Sequence, residues 1–142
     1  MSSVTSDCVF DQVIDGGLPA HLVLEDDDFV AFLDNRPVFD GHTLVVPRVH
    51  YGTLAEAPEE LLGPLLRAGR RVAAAQRTAL GAEGAFFALN EIVSQSVPHV
   101  HLHVVPRKHG DGLRGFLWPR HLYPSDQVAS ELARRLRAQL PA

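Results

Sequence analysis

Apolar residues in the first half of the chain come in three short runs, His21–Leu24, Phe29–Leu33 and Thr43–Val46. Runs of this length, separated by turn-forming segments, predict strands rather than helices. Glu25-Asp26-Asp27-Asp28 lies between the first two runs and reads as a solvated hairpin turn, while Gly41 leads into the third run and Pro47 ends it. The spacing then changes. Leu61, Leu62, Leu65, Leu66, Val72, Ala73 and Leu80 fall close to a period of about 3.6 residues, with Gly81 placed as terminator. Pro58 suits a first helical turn, whereas Pro64 should kink this helix or mark its true start. Phe86–Leu89 and His99–Val105 predict two more strands. A closing helix starts at Ser125, with Val128, Leu132, Leu136 and Leu140 on its buried side and Arg134, Arg135 and Arg137 in water. At the other end, Asp7 caps a short helix through Ile14, which Gly16-Gly17 ends. Strands grouped around few helices predict an α+β domain with a mainly five-stranded antiparallel sheet and two principal helices.

Composition adds bounds. The 142 residues are 46% apolar and 21% charged, enough for one domain (1–142) with a real core. A net charge of −4 gives no broad positive field for a nucleic acid partner, though a small anion needs only a local pocket. One cysteine, Cys8, excludes an intramolecular disulfide framework. No apolar run approaches the ~20 residues of a membrane span, and the first residues do not read as a signal peptide. The expectation is a cytoplasmic protein with no membrane partner. Neither a Gly-x-Gly-x-x-Gly nor a Walker-type loop occurs, so the common phosphate cradles are absent.

The chemistry lies in Ser94-Gln95-Ser96-Val97-Pro98-His99-Val100-His101-Leu102-His103-Val104-Val105-Pro106-Arg107. In a strand, His99, His101 and His103 project from one face while Val100, Leu102 and Val104 enter the core on the other. Three imidazoles at period two fit a set of metal ligands, a nucleophile with supporting neighbours, or a plain polar face. Ser94, Gln95 and Ser96 favour the second, because hydroxyls, an amide and loop N–H groups donate to phosphate oxygens. The stretch also lacks the carboxylate or thiolate that a metal site usually adds.

The pattern His-apolar-His-apolar-His-apolar-apolar at His99–Val105 resembles the signature of the histidine triad (HIT) superfamily. The resemblance extends through Glu25-Asp26-Asp27, Ala31-Phe32-Leu33-Asp34 and Gly41-His42-Thr43-Leu44-Val45-Val46-Pro47-Arg48-Val49-His50, and so covers a core of about residues 8–108. Residues 109–142 are then a C-terminal extension with its helix. What the resemblance implies is a HIT-like fold and a hydrolase acting on the α-phosphate of nucleoside phosphoramidates or dinucleoside polyphosphates. It implies His101 as nucleophile, its other ring nitrogen held by the main-chain carbonyl of His99, and a nucleotidyl-histidine intermediate that water resolves. His103 contacts the phosphate and assists the leaving group, and the ring of His99 pairs with His42. Gln95, Ser96 and Asn90 bind phosphate oxygens, and Asp34 holds the ribose hydroxyls of a small-molecule nucleotide, by family default of adenine type. The same likeness implies a homodimer and no required cofactor. A nucleotidyltransferase or phosphorylase using the same intermediate, and a non-catalytic nucleotide-binding module, stay open beside the hydrolase.

Two departures stand out. Asn90 and His99 are nine residues apart, closer than the family's phosphate loop leads one to expect. Some bacterial relatives bind structural zinc through an N-terminal Cys-x-x-Cys, a histidine at the position of His50 and the first triad histidine. Here the segment is Cys8-Val9-Phe10-Asp11, so the corresponding zinc set is Cys8, Asp11, His50 and His99, with a carboxylate in place of one thiolate. Outside the resemblance, Trp118 either covers a base or packs the last helix onto the sheet, and packing is the favoured expectation. Arg107 and Lys108 raise the potential at the phosphate mouth or simply end a strand in water.

Overall fold

The three early apolar runs form strands β1 (Leu22–Glu25), β2 (Phe29–Leu33) and β3 (Thr43–Pro47), paired antiparallel in sequence. In the acidic turn between β1 and β2, Asp26 Oδ1 accepts from the amides of Asp28 (2.9 Å) and Phe29 (2.7 Å). These bonds hold its carboxyl below the ordinary range, and the acidic run serves as turn chemistry. Two later strands, β4 (Gly84–Ala88) and β5 (Leu102–Arg107), complete an antiparallel sheet of order β1-β2-β3-β5-β4. This computed structural model describes residues 7–114 and 119–141. The chain divides into two compact units, one ending at Asp111 and the other beginning at Gly112.

β5 starts at Leu102, not at His99 as the alternation predicts. The reason lies across the ladder. Thr43 faces Val104 and Val45 faces Leu102, a register that sets Pro47 against Val100, and Pro47 has no N–H to give. The ladder stops there, and the Val100 amide donates instead to Tyr51 O at 2.8 Å. The face assignment survives. Val100, Leu102 and Val104 are buried in one core cluster with Phe29, Ala31 and Val45, while Phe10, Val30, Phe32, Leu44 and Val46 form another, to which the first helix contributes. That helix, α1 (Val9–Ile14), has Cys8 rather than Asp7 at its N-cap, and no side chain caps it.

Helix α2 (Glu59–Leu80) covers the first cluster. Pro58 occupies its N-cap, and Gly81 ends it in the left-handed region at φ 70°. Pro64 lies inside the helix and is not its start. Only the Glu60 carbonyl loses a donor to it, and Glu60 is exposed to water. The buried stripe is Leu65, Ala68, Gly69, Val72 and Gln76, whereas Leu62, Leu66 and Leu80 of the predicted stripe are exposed. Small residues let the helix approach closely: a Cβ on Gly69 would lie 2.5 Å from Leu102 Cδ2. Gln76 fastens the helix to the sheet, its Nε2 donating to Gly41 O (3.0 Å) and Val104 O (2.9 Å).

In the second unit, α3 (Asp126–Ala138) begins where predicted, with Ser125 Oγ accepting from the Val128 amide at 3.2 Å. Its expected buried side is not buried: Val128, Leu132, Leu136 and Leu140 are 40, 37, 70 and 72% exposed. Arg134 pairs with Glu131 through two bonds on the wet face. Trp118 lies outside the described residues, as do Phe116 and Leu117.

Gly41 carries a testable strain. It sits at φ 98°, and a Cβ there would meet Leu80 Cδ1 at 2.3 Å; Gly81 has positive φ but open space around it. Gly41→Ala should therefore cost about 3 kcal/mol in denaturant unfolding and Gly81→Ala about 1 kcal/mol. Equal losses would show that the Leu80 contact relaxes freely.

Candidate active site

The register that places Leu44 opposite His103 also puts His42, two residues away on the same face, diagonal to it. His42 Nε2 lies 3.0 Å from His103 Nδ1. His42, His99 and His101 are buried, and His103 is half-buried. The expected pairing of His42 with His99 is therefore corrected to His42 with His103. His99 stands beyond the end of β5, where its Nε2–H donates to Pro47 O at 2.8 Å.

Hydrogen-bond partners fix the protons on these rings. The Nδ1 of His101 contacts the main-chain carbonyl of His99 at 2.7 Å. Because a carbonyl only accepts, Nδ1 carries the hydrogen and Nε2 the lone pair. The Val38 amide donates to His42 Nδ1 at 3.1 Å, so neutral His42 carries its proton on Nε2 and donates it to His103 Nδ1. His103 then holds its own hydrogen on Nε2. Burial pushes His42 and His101 below the ordinary imidazole value of 6.5. Burial, with the neighbouring His101 and His42, pushes His103 down to about 4. All three rings are neutral near pH 7. His101 presents a nucleophilic nitrogen and His103 a donor, and neither Nε2 has a partner among the described residues.

Both rings line a cleft of about 600 Å³, together with Asp34 and Ser96 and the apolar side chains of Phe10, Val13, Leu18, Phe32 and Leu44. Asp34 Oδ1 accepts from the Arg36 amide at 2.9 Å, and its Oδ2 is 3.6 Å from His42 Nε2. Gln95 does not line the cleft: its Nε2 donates to Gly52 O at 2.6 Å and its Oε1 accepts from the Ile92 amide at 3.0 Å. Asn90 is exposed and also lies outside the lining. Arg107 forms a two-bond pair with Asp111 (2.6 and 3.0 Å), an engagement its place at a strand end did not reveal. Phe10 was not singled out from sequence, yet its ring stands edge-on to His101 with centroids 4.9 Å apart. Its only early signal was an apolar position in a short helix whose partner surface was unknown.

Among the described residues, two groups of side chains have metal-like spacing: Cys8, Asp11, His50 and His99, and Asp34, His42 and His103. Their proton patterns differ. In the second, His42 already accepts at Nδ1, so giving Nε2 to an ion would require an imidazolate; the group suits hydrogen bonding. In the first, the Nε2–H of His99 is committed to Pro47 O, which leaves the Nδ1 lone pair 3.2 Å from Asp11 Oδ1 and 3.5 Å from Cys8 Sγ. Burial lowers the His99 pKa and raises that of Cys8. A neutral imidazole lone pair facing a carboxylate oxygen is repulsive, and a cation between them removes the repulsion. Thiolate, carboxylate and two imidazoles make an acceptable zinc set, and a cavity of about 390 Å³ bordered by Cys8 and His50 gives access. The residues present therefore fit the metal.

A family profile for the HIT domain matches residues 16–110. The chain is 37% identical over 140 residues to an uncharacterized HIT-like protein of Mycobacterium tuberculosis, covering 95% of this chain and 96% of that one. It is 32% identical to the adenylylsulfatase HINT3 of Arabidopsis thaliana, covering 98% of this chain and 72% of the plant protein. Among solved structures, a zinc-bound histidine triad family protein from Mycobacterium smegmatis superposes with a TM-score of 0.74 at 38% identity, covering 94% of each chain. Match, fold and histidine cluster agree: the chain belongs to the HIT family.

Proposed function

We propose that the protein cleaves nucleotide derivatives at the α-phosphorus and releases a nucleoside monophosphate through a nucleotidyl intermediate on His101. The observation that carries this reading is the 2.7 Å bond between His101 Nδ1 and the His99 carbonyl. It fixes the tautomer whose Nε2 is nucleophilic and supports the positive charge that develops on the ring during attack. In the first step the Nε2 lone pair bonds to phosphorus as the bond to the leaving group breaks, and the leaving group departs with that electron pair. In the second, water attacks phosphorus, the P–N bond breaks, and a proton of the water passes to solvent.

His103 acts as a neutral donor. Its Nδ1 accepts from His42, so its Nε2–H supplies a hydrogen bond to an oxygen on phosphorus or on the leaving group, without being a ready source of a whole proton. This favours leaving groups that depart as stable oxyanions, a class consistent with the adenylylsulfatase relative. The Ser96 hydroxyl, in the cleft lining, donates to the phosphate; Asn90, outside that lining, is given no part in this reading. Asp34 accepts from the ribose hydroxyls, and the apolar wall takes the base, of adenine type. Most of the rate comes from positioning and fixed donors.

Zinc held by Cys8, Asp11, His50 and His99 is part of the same reading; it would tie α1 to the loop that carries His50 and to the start of the triad. So is assembly as a homodimer, for which the exposed apolar residues of α3 offer surface.

Three outcomes test these statements. Chromatography of products from adenosine phosphoramidate, adenylyl sulfate and diadenosine polyphosphates should show AMP with wild type, and a loss of at least about 10³-fold with His101→Ala. A variant that keeps near-full rate would remove His101 as nucleophile. An NMR titration should place the His103 ring near its value of about 4. Because its folded pKa lies below its unfolded one, this histidine withdraws stability as pH falls from 6.5 toward 4 and has no effect above 6.5. A transition midpoint that rises on acidification through that window would contradict the sign. Finally, elemental analysis should find zinc near one per chain in the wild type and little in Cys8→Ala, with a lower melting temperature in the variant. Equal metal content in both proteins would exclude this ligand set.

A further inference from the structure

The loop before the triad holds two non-glycine residues in the left-handed region, Ile92 at φ 65° and Ser94 at φ 64°. For a β-branched residue such as Ile92 this conformation is sparsely populated and persists only where surrounding bonds impose it. Those bonds are present. The Glu91 carboxylate accepts from the amides of Leu54 (2.7 Å) and Ala55 (3.2 Å). The Gln95 amide bridges the Ile92 N–H and the Gly52 carbonyl. Further along, His99 is tied to Pro47 O and the Val100 amide to Tyr51 O. The end of β3 and the segment after it, from Pro47 to Ala55, thus anchor the loop at Glu91, Gln95, His99 and Val100.

Ser96 lies between the anchors at Gln95 and His99, followed by Val97 and the stiff Pro98, and it borders the cleft that holds His101 and His103. Nothing else bonds its side chain among the described residues. Its placement depends on the anchors to either side. We propose that Glu91 and Gln95 are positioning residues that clamp this loop onto the Gly52–Ala55 segment and so aim Ser96 at the reacting phosphate. The proposal rests on the nucleotide-cleaving reading above. It gives Gln95 a role through the loop, not as a ligand of phosphate.

The test compares Glu91→Ala, Gln95→Ala and the double variant with wild type, on whichever of the three nucleotide substrates is turned over. It also follows amide hydrogen exchange over residues 92–96. Each single variant should lower kcat about tenfold or more while changing KM less than about threefold. The double variant should lose little beyond the worse single, because both act on one loop. Exchange over 92–96 should accelerate in each variant with the melting temperature nearly unchanged. A raised KM with kcat spared in Gln95→Ala, together with a silent Glu91→Ala, would make Gln95 a substrate ligand and overturn the clamp. Unchanged exchange in both single variants would also overturn it. If wild type turns over none of the substrates, the hydrolase reading fails, and the exchange comparison still decides the clamp.

Discussion

The main-chain carbonyl of His99 organises the site. It accepts from His101 Nδ1 at 2.7 Å, and its position is set by bonds that its own residue makes elsewhere. The His99 ring is fixed by Pro47 O on one side and faces Cys8 and Asp11 on the other, and the next amide, of Val100, is held by Tyr51. An imidazole keeps the lone pair on one nitrogen only while the other is immobilised as a donor. Here that requirement is met by backbone, which cannot ionise and cannot rotate away without opening the strand entrance.

The same economy explains the second ring. His103 is made a donor by a chain that begins at the Val38 amide and passes through His42. Burial holds both histidines below the ordinary imidazole value, and the neighbouring His101 and His42 push His103 further, to about 4. A protonated ring at either place would break a hydrogen bond as well as bear a poorly solvated charge. Tautomer and charge state are therefore set together, by topology: β3 brings His42 diagonal to His103, and the loop before it supplies the amide.

How much of this was legible in the sequence depends on how local the signal is. Strand periodicity put the three triad side chains and Val100, Leu102 and Val104 on opposite faces, since alternation along one segment needs no knowledge of its neighbours. The length of β5 was not legible, because it is cut by Pro47, a residue of the paired strand more than fifty positions away. Helix α2 was found by its period, yet its inner stripe contains Gly69 and Gln76, which no hydrophobicity pattern selects. Close approach to Leu102 and two carbonyls in need of a donor choose them. His42 was found through likeness to a family, and its partner was misassigned, since the choice between His99 and His103 is made by ladder register. Phe10 was missed for the same reason: its importance is its contact with His101, which only the docking of α1 creates.

The sheet separates two demands that would otherwise conflict. The face covered by α2 carries packing, with Val45, Leu102 and Val104 essentially without exposure. The other face buries histidines, which are poor material for a core unless each polar nitrogen is bonded. Every Nδ1 of His42, His101 and His103 has a partner within the protein, so the remaining ring nitrogens of His101 and His103 are left for the cleft without penalty to the fold. His99 departs from this pattern: its Nδ1 meets the Cys8 sulfur at 3.5 Å and an Asp11 carboxylate oxygen at 3.2 Å. The asymmetry sets the His99 ring, with its Nδ1 toward a sulfur and a carboxylate, apart from His101 and His103, whose remaining nitrogens face the cleft.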